Sequence, residues 1–178
     1  MRTHFIAAVT FAGALALSQS ASAADGNISF NGEITGQTCV INGGNKDIIV
    51  TLPTVAASTL SATGKTAGKT PFSIDLTGCA ATPAKVQVQF EPGATVDSTT
   101  GRLIPSPGGA TNVQVGLSNA DDASPIKLGL ALSAQNSRAA DIVNGAASLR
   151  YTAEYVASGG AATVGKVTTS VVYSIAYQ

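Results

Sequence analysis

Few residues of this chain could carry catalytic chemistry. The single histidine, His4, lies within the first 23 residues, which we predict to be removed on export. Hydrolytic catalysis usually needs a base beside a nucleophile. After that removal no histidine can act as the base, and no motif places a lysine or carboxylate in that role. The sequence therefore predicts a protein that is not an enzyme.

Two short stretches resemble the end of a phosphate-binding loop, Gly64-Lys65-Thr66 and Gly68-Lys69-Thr70. A P-loop also needs a glycine five positions before the glycine that precedes its lysine. Those positions hold Thr59 and Thr63, so both motifs fail. A flexible Gly/Thr loop is the favoured interpretation.

Two other groups of side chains allow a binding interpretation. Asp121 and Asp122 could bind a metal, but adjacent carboxylates in a cluster of Asn, Asp and Ser are more typical of a solvated turn. Four tyrosines at strand spacing could line a ligand site, although core packing is favoured: Tyr151, Tyr155, Tyr173 and Tyr177. We predict neither a metal nor a cofactor.

The first 23 residues have the pattern of a secretory signal peptide. Arg2 gives a positive start, Phe5 to Leu17 is an apolar run, and Ala21-Ser22-Ala23 fits a small-x-small cleavage site. We place the cut before Ala24. The alternative is an uncleaved anchor, but the apolar run is short for a membrane span.

The two cysteines, Cys39 and Cys79, agree with export. An oxidising compartment favours a disulfide, which would stabilise the fold by roughly 4 kcal/mol in the chain-entropy model. The alternative is a metal site, which needs more ligands than two thiols in a chain without histidine. We predict one intramolecular bridge.

The charge of the exported chain excludes some partners. Nine basic and ten acidic residues remain after cleavage, which gives a net charge of −1, and charged residues make up only 11% of the whole chain. No basic patch is present, so nucleic acid is not an expected partner.

Apolar and polar residues alternate in several stretches along the chain. This period of two predicts strands whose apolar side chains face one side. The apolar positions are Ile28, Phe30 and Ile34; Phe72, Ile74 and Leu76; Val86, Val88 and Phe90; Val113, Val115 and Leu117; Leu149, Tyr151, Ala153 and Tyr155; and Val167, Val171, Tyr173, Ile175 and Tyr177. Turn residues separate these stretches, so we expect an antiparallel β sandwich.

Several of these features together resemble the chaperone–usher fimbrial subunits, the type 1-like pilins of Gram-negative bacteria. The first is the run from Gly26 to Ile34 followed by Cys39, and the second is Cys79 preceded by Phe72-Ser73-Ile74-Asp75-Leu76. The third is the C-terminal stretch, with Gly165 fourteenth from the end and Tyr177 penultimate. The resemblance covers the whole exported chain.

The resemblance implies an incomplete immunoglobulin-like sandwich that lacks its last strand. A neighbouring subunit completes such a domain by donating its N-terminal strand, a mode of strand addition for which pilins are a known example. The implied organisation is a signal peptide at 1–23, a donor extension at 24–36 and a pilin domain at 37–178. The donor residues would be Gly26, Ile28, Phe30 and Gly32. The acceptor strand, which also binds the chaperone, would contain Gly165, Val167, Val171, Tyr173, Ile175 and Tyr177.

The implied function is a structural subunit of a surface fimbria that supports cell adhesion. Its partners would be neighbouring pilins, a periplasmic chaperone and an outer-membrane usher. One alternative is a minor adapter or adhesive subunit that binds a host ligand. Another is that residues 24–35 form an ordinary first strand of their own domain rather than a donated one.

Overall fold

The computed structural model of the chain describes Ser29 and residues 39–178. The predicted signal peptide and the predicted donor residues Gly26, Ile28, Phe30 and Gly32 lie outside the described residues. No helix in the described part of the chain is long and apolar enough to span a membrane.

Residues 39–178 contain ten strands and almost no helix. The strands are β1 (Val40–Ile41), β2 (Thr66–Thr77), β3 (Lys85–Phe90), β4 (Val96–Asp97), β5 (Arg102–Leu103), β6 (Val113–Asn119), β7 (Pro125–Ile126), β8 (Ala140–Asp141), β9 (Ala147–Ala157) and β10 (Tyr173–Tyr177). Short helical turns are the α-helix α1 (Leu132–Gln135) and two 3-10 helices, Asn42–Gly44 and Ala57–Leu60. The stretch Val55 to Ala67, rich in Ala, Ser and Thr, therefore contains one such turn before β2 begins.

All strand pairs are antiparallel and fall into two sheets. The larger sheet has the order β1-β2-β9-β6-β5-β4, with β7 also paired to β6. The smaller sheet has the order β10-β3-β8. Its central strand pairs residue by residue with β10, from Tyr173 opposite Phe90 to Tyr177 opposite Val86.

The core lies between the two sheets and follows the predicted alternation. Val86, Val88 and Phe90 of β3 are at most 2% exposed, and they meet Ile74, Leu76, Val115, Leu117, Leu149 and Tyr151 from the larger sheet. The Tyr151 ring packs against Phe72 and Phe90, with ring centroids 5.6 and 5.4 Å apart. The fold is thus the predicted antiparallel β sandwich of the immunoglobulin-like type.

The outer edge of β3 is covered by side chains beyond the short β8. Gln135 is fully buried, and its amide bonds both the N–H and the C=O of Phe90. The Ser137 hydroxyl donates to the Val88 carbonyl at 2.7 Å. These contacts satisfy backbone groups that would otherwise be buried without partners. One edge of β3 therefore pairs with β10, and backbone groups on the other edge are hydrogen-bonded by Gln135 and Ser137.

The predicted C-terminal strand is longer than the strand that forms. Alternation predicted a strand from Val167 to Tyr177, whereas β10 spans only Tyr173–Tyr177. Val167 and Val171 keep the predicted alternation of exposure. The prediction missed the boundary because side-chain period reports which face is buried and not whether a partner strand is present.

Candidate functional site

A groove of about 830 Å³ opens beside β10. Two extended segments line it, residues 46–52 (here the N-terminal wall) and residues 167–175 (the C-terminal wall). Its floor consists of core side chains from the larger sheet and β3: Phe72, Ile74, Phe90, Leu103, Val115, Leu117, Ala153 and Tyr155. The hydrophobic core of the sandwich is thus accessible along one line between the walls.

Within residues 39–178, the C-terminal wall forms its backbone hydrogen bonds along one edge only. The carbonyls of the even-numbered residues accept hydrogen bonds: Lys166 from the Ala110 N–H, Thr168 from the Ser106 N–H, Ser170 from the Thr95 hydroxyl and Val172 from the Glu91 N–H. Backbone groups of successive residues in an extended chain point to opposite edges. The groups of Val167, Thr169 and Val171 therefore face the groove, and they form no backbone hydrogen bond within residues 39–178.

The N-terminal wall has the side-chain pattern of a strand without a partner. Ile48, Val50 and Leu52 are half-buried and pack on the core, whereas Ile49 between them is 92% exposed. No backbone hydrogen bond joins residues 46–52 to another segment in the described part of the chain.

This wall was not predicted from the sequence. The exposed Ile49 extends an apolar run from Ile48 to Val50 and hides the period of two. The parity of Ile48, Val50 and Leu52 was the signal that could have revealed it.

Two tyrosine hydroxyls of β10 bond the N-terminal wall and the chain that leads into it. Tyr173 Oη donates to the Lys46 carbonyl at 2.8 Å, and Tyr177 Oη accepts from the Cys39 N–H at 3.0 Å. Burial raises the pKa of Tyr173, and the nearby Asp47 carboxylate raises it further. The phenol is therefore protonated at neutral pH, as a donor to a carbonyl must be.

The predicted disulfide is present at the base of the N-terminal wall. Cys39 and Cys79 are bonded, with their Cα atoms 4.3 Å apart and both residues buried. Cys79 follows β2, and its N–H donates to the Gly145 carbonyl at 2.9 Å. The bond therefore ties the chain that leads into the groove to the segment that follows β2 of the larger sheet.

The predicted C-terminal site residues lie together, and the structure gives Gly165 a packing role. Val167, Val171, Tyr173 and Ile175 line the groove, and Tyr177 ends β10 and accepts a hydrogen bond from the Cys39 N–H. Gly165 lies just before the wall, where an added Cβ would stand 2.5 Å from Ala110 N. Such a distance is a clash, so only glycine allows this close backbone approach.

We expect Gly165→Ala to displace the start of the C-terminal wall, because the Ala110 N–H to Lys166 carbonyl bond lies at the point of closest approach. Urea unfolding of the purified chain should show a loss of about 1–3 kcal/mol. Gly93→Ala is the matched control, since an added Cβ there meets nothing within 4 Å and no positive φ is involved. Equal midpoints for both variants would contradict the packing role of Gly165.

The other candidate side chains have structural contacts. Lys65 directly precedes β2, and Lys69 lies within the register shift between Ala67 and Thr70 where β2 pairs with β9, which is not the geometry of a phosphate loop. Among the described residues, no cluster of His, Cys, Asp or Glu could hold a metal ion.

The adjacent aspartates form a turn held by arginines, as the favoured interpretation expected. Asp121 pairs with Arg150 at 3.1 Å and Asp122 pairs with Arg138. Hydrogen bonds from Ser124, followed by the contact with Arg138, lower the pKa of Asp122 to about 2. Both carboxylates are thus engaged by cations on the protein itself.

The tyrosines divide between two roles. Tyr151 is a core residue, in agreement with the favoured interpretation. Tyr155 and Tyr173 line the groove and are only half-buried, so core packing alone does not describe them.

Comparisons with known proteins agree on one family. The family model for type-1 fimbrial protein A, FimA, matches residues 52–178. The F17 fimbrial protein of Escherichia coli is 46% identical over 171 residues, covering 93% of this chain and 94% of that protein. The major fimbrial subunit SMF-1 of Stenotrophomonas maltophilia is 48% identical over 164 residues, covering 89% of this chain and 95% of that protein.

A solved structure shares the fold. The crystal structure of the P pilus rod subunit PapA superposes with a TM-score of 0.64 at 21% identity, covering 79% of this chain and 99% of that chain. At that identity the likeness concerns the fold alone.

Proposed function

Because the chain belongs to the type-1 fimbrial protein family, we propose that it is the major, shaft-forming subunit of a fimbria and polymerises by strand donation. Members of this family are structural subunits and not enzymes. The observation that carries the proposal is the groove, in which core side chains lie along the same line as backbone groups that have no backbone partner within residues 39–178.

The groove fits an extended strand better than a compact ligand. The backbone groups of Val167, Thr169 and Val171 offer hydrogen bonds along one edge, which is how sheets accept an added strand. The floor offers apolar contact for every second side chain of such a strand. Main-chain bonds would supply affinity, and the floor would supply specificity.

The donor is the leading segment of a neighbouring copy, residues 24–36. Ile28 and Phe30 share one parity and would enter the floor, while Gly26 and Gly32 allow close backbone approach. Each large side chain buried would contribute about 1.5–3 kcal/mol, and each backbone bond about 1 kcal/mol net. The sum is large enough to hold a fibre together.

The same groove accounts for a chaperone and an usher as partners. An open strand edge beside an apolar groove is prone to aggregation, so a subunit in transit needs a protein that covers the C-terminal wall. The signal peptide at 1–23 directs the chain to the periplasm, and the domain at 37–178 then assembles on the cell surface. This places the mature protein in a surface fimbria of a Gram-negative bacterium.

Electron microscopy of cells with and without this subunit distinguishes a shaft subunit from a minor adapter. Loss of a shaft subunit should leave bald cells, and re-expression from a plasmid should restore fibres of normal length. Fibres that persist without the subunit would contradict the shaft role and favour an adapter or tip position.

A further inference from the structure

The two walls of the groove have no hydrogen-bond ladder between them in the described part of the chain. Adjacent strands normally fix their spacing through such a ladder. Something else must therefore set the distance between the N-terminal wall and the C-terminal wall.

Apart from the apolar packing of its middle section, the N-terminal wall is anchored among the described residues before and after that section. Before it, Val40 and Ile41 pair with β2 and Cys39 is held by the disulfide. After it, the Leu60 carbonyl accepts from the Ala162 N–H at 2.9 Å. Between these anchors, the hydrogen bond from Tyr173 to the Lys46 carbonyl is the only one that joins residues 46–56 to a distant described segment.

The C-terminal side of this bridge is rigid. Tyr173 and Tyr177 are the first and last residues of β10, which pairs with β3 along its whole length. Tyr173 reaches Lys46 at the start of the N-terminal wall, and Tyr177 reaches Cys39, which the disulfide also holds. The Tyr173 hydroxyl is thus a strut from a fixed strand to a segment that otherwise rests on apolar packing, and the Tyr177 hydroxyl is a second strut to the chain that leads into that segment.

We propose that Tyr173 and Tyr177 are positioning residues that set the width of the groove and preorganise it for an incoming strand. The inference rests on the proposed function, since it takes a neighbour's leading strand as the occupant. If the walls are correctly spaced for only a fraction of the time, the affinity of the groove for a strand is multiplied by that fraction. Holding the walls apart at strand width before binding removes this loss.

The test uses phenylalanine substitutions, which keep the ring and remove only the hydroxyl. The variants are Tyr173→Phe, Tyr177→Phe and the double variant. Tyr155→Phe is the matched control, because Tyr155 lines the same groove and its hydroxyl forms no hydrogen bond with the described residues. All are made in the full mature chain carrying Ile28→Asp and Phe30→Asp, so that it accepts a strand without polymerising.

The first readout is the distance between the walls and does not depend on strand binding. Spin labels at Ile49 and Val172, which are 92% and 71% exposed on opposite walls, report it directly. We expect the double variant to broaden the distance distribution and Tyr155→Phe to leave it unchanged. An unchanged distribution in the double variant would overturn the proposal.

The second readout is the affinity for a synthetic peptide of residues 24–36. Loss of two hydrogen bonds should raise the Kd about tenfold in the double variant relative to the parent chain. Tighter binding by the double variant would overturn the proposal, because the tyrosines would then close the groove rather than hold it open. If the parent chain binds no peptide while the double variant has a broader distance distribution, the positioning role of the tyrosines is supported and the proposed function is contradicted.

Discussion

A subunit carrying Ile28→Asp and Phe30→Asp should fold and be exported but should not add to a growing fibre. The two side chains have the parity that would enter the apolar floor of the neighbour's groove. Losing their burial removes about 3–6 kcal/mol, a factor of about 10² to 10⁴ in affinity, before the cost of burying carboxylates is counted. Cells that express only this variant should be bald under the electron microscope.

The chain supplies its own matched control for that experiment. Asn27 and Asn31 have the opposite parity, so Asn27→Asp and Asn31→Asp add the same charge to the face that remains in solvent. Fibres should form with this control. Fibres of normal length from the Ile28→Asp, Phe30→Asp variant would show that residues 24–36 are not the donor.

Removal of the disulfide with Cys39→Ala and Cys79→Ala should give the largest loss of stability. The bond closes a loop between residues 40 positions apart, which corresponds to roughly 4 kcal/mol in the chain-entropy model. It also fixes the residue whose N–H donates to Tyr177 Oη, so the groove end loses an anchor. Urea unfolding of the non-polymerising variant should therefore have a lower midpoint when both cysteines are replaced.

Reduction provides the internal control for this prediction. Reducing agent should destabilise the parent to the same extent and should leave the double alanine variant unchanged. A midpoint that survives both the substitutions and reduction would mean that the bridge does not stabilise the domain.

The sequence predicted those strands whose two faces differ in environment. In β3, Val86, Val88 and Phe90 alternate with Gln87 and Gln89, and the burial follows this alternation. In β6 and β9 the predicted apolar positions from Val113 to Leu117 and from Leu149 to Ala153 are buried, but residues of the opposite parity are buried too, namely Gln114, Ser118, Thr152 and Val156, and the predicted Tyr155 is only half-buried. Alternation is informative in β3 because one face of that strand meets the core and the other does not.

The groove was predictable only in part. Alternation indicated Val167 and Val171, but no local pattern distinguishes a paired strand from an extended wall with a free edge. The opposite wall was missed because Ile49 is apolar and exposed. Its role became visible only through the tertiary contacts of Ile48, Val50 and Leu52 with the core.

Long-range side-chain contacts were also beyond local patterns. The Tyr173 to Lys46 and Tyr177 to Cys39 hydrogen bonds join residues 127 and 138 positions apart. Gln135 lies in a four-residue helix and bonds Phe90, which is 45 positions away. Contacts of this kind depend on the completed fold, so they cannot be predicted from residue type or spacing.

Amide hydrogen exchange in the assembled fibre tests the central claim most directly. The N–H groups of Val167, Thr169 and Val171 face the groove, so they should exchange at least about a hundredfold more slowly in the fibre than in the non-polymerising subunit. The amides of Ser174 and Ala176 lie within the β10–β3 pair and serve as the reference, with little change expected. Equal exchange of the three wall amides in both states would mean that no strand pairs with this edge, and the account of assembly would be wrong.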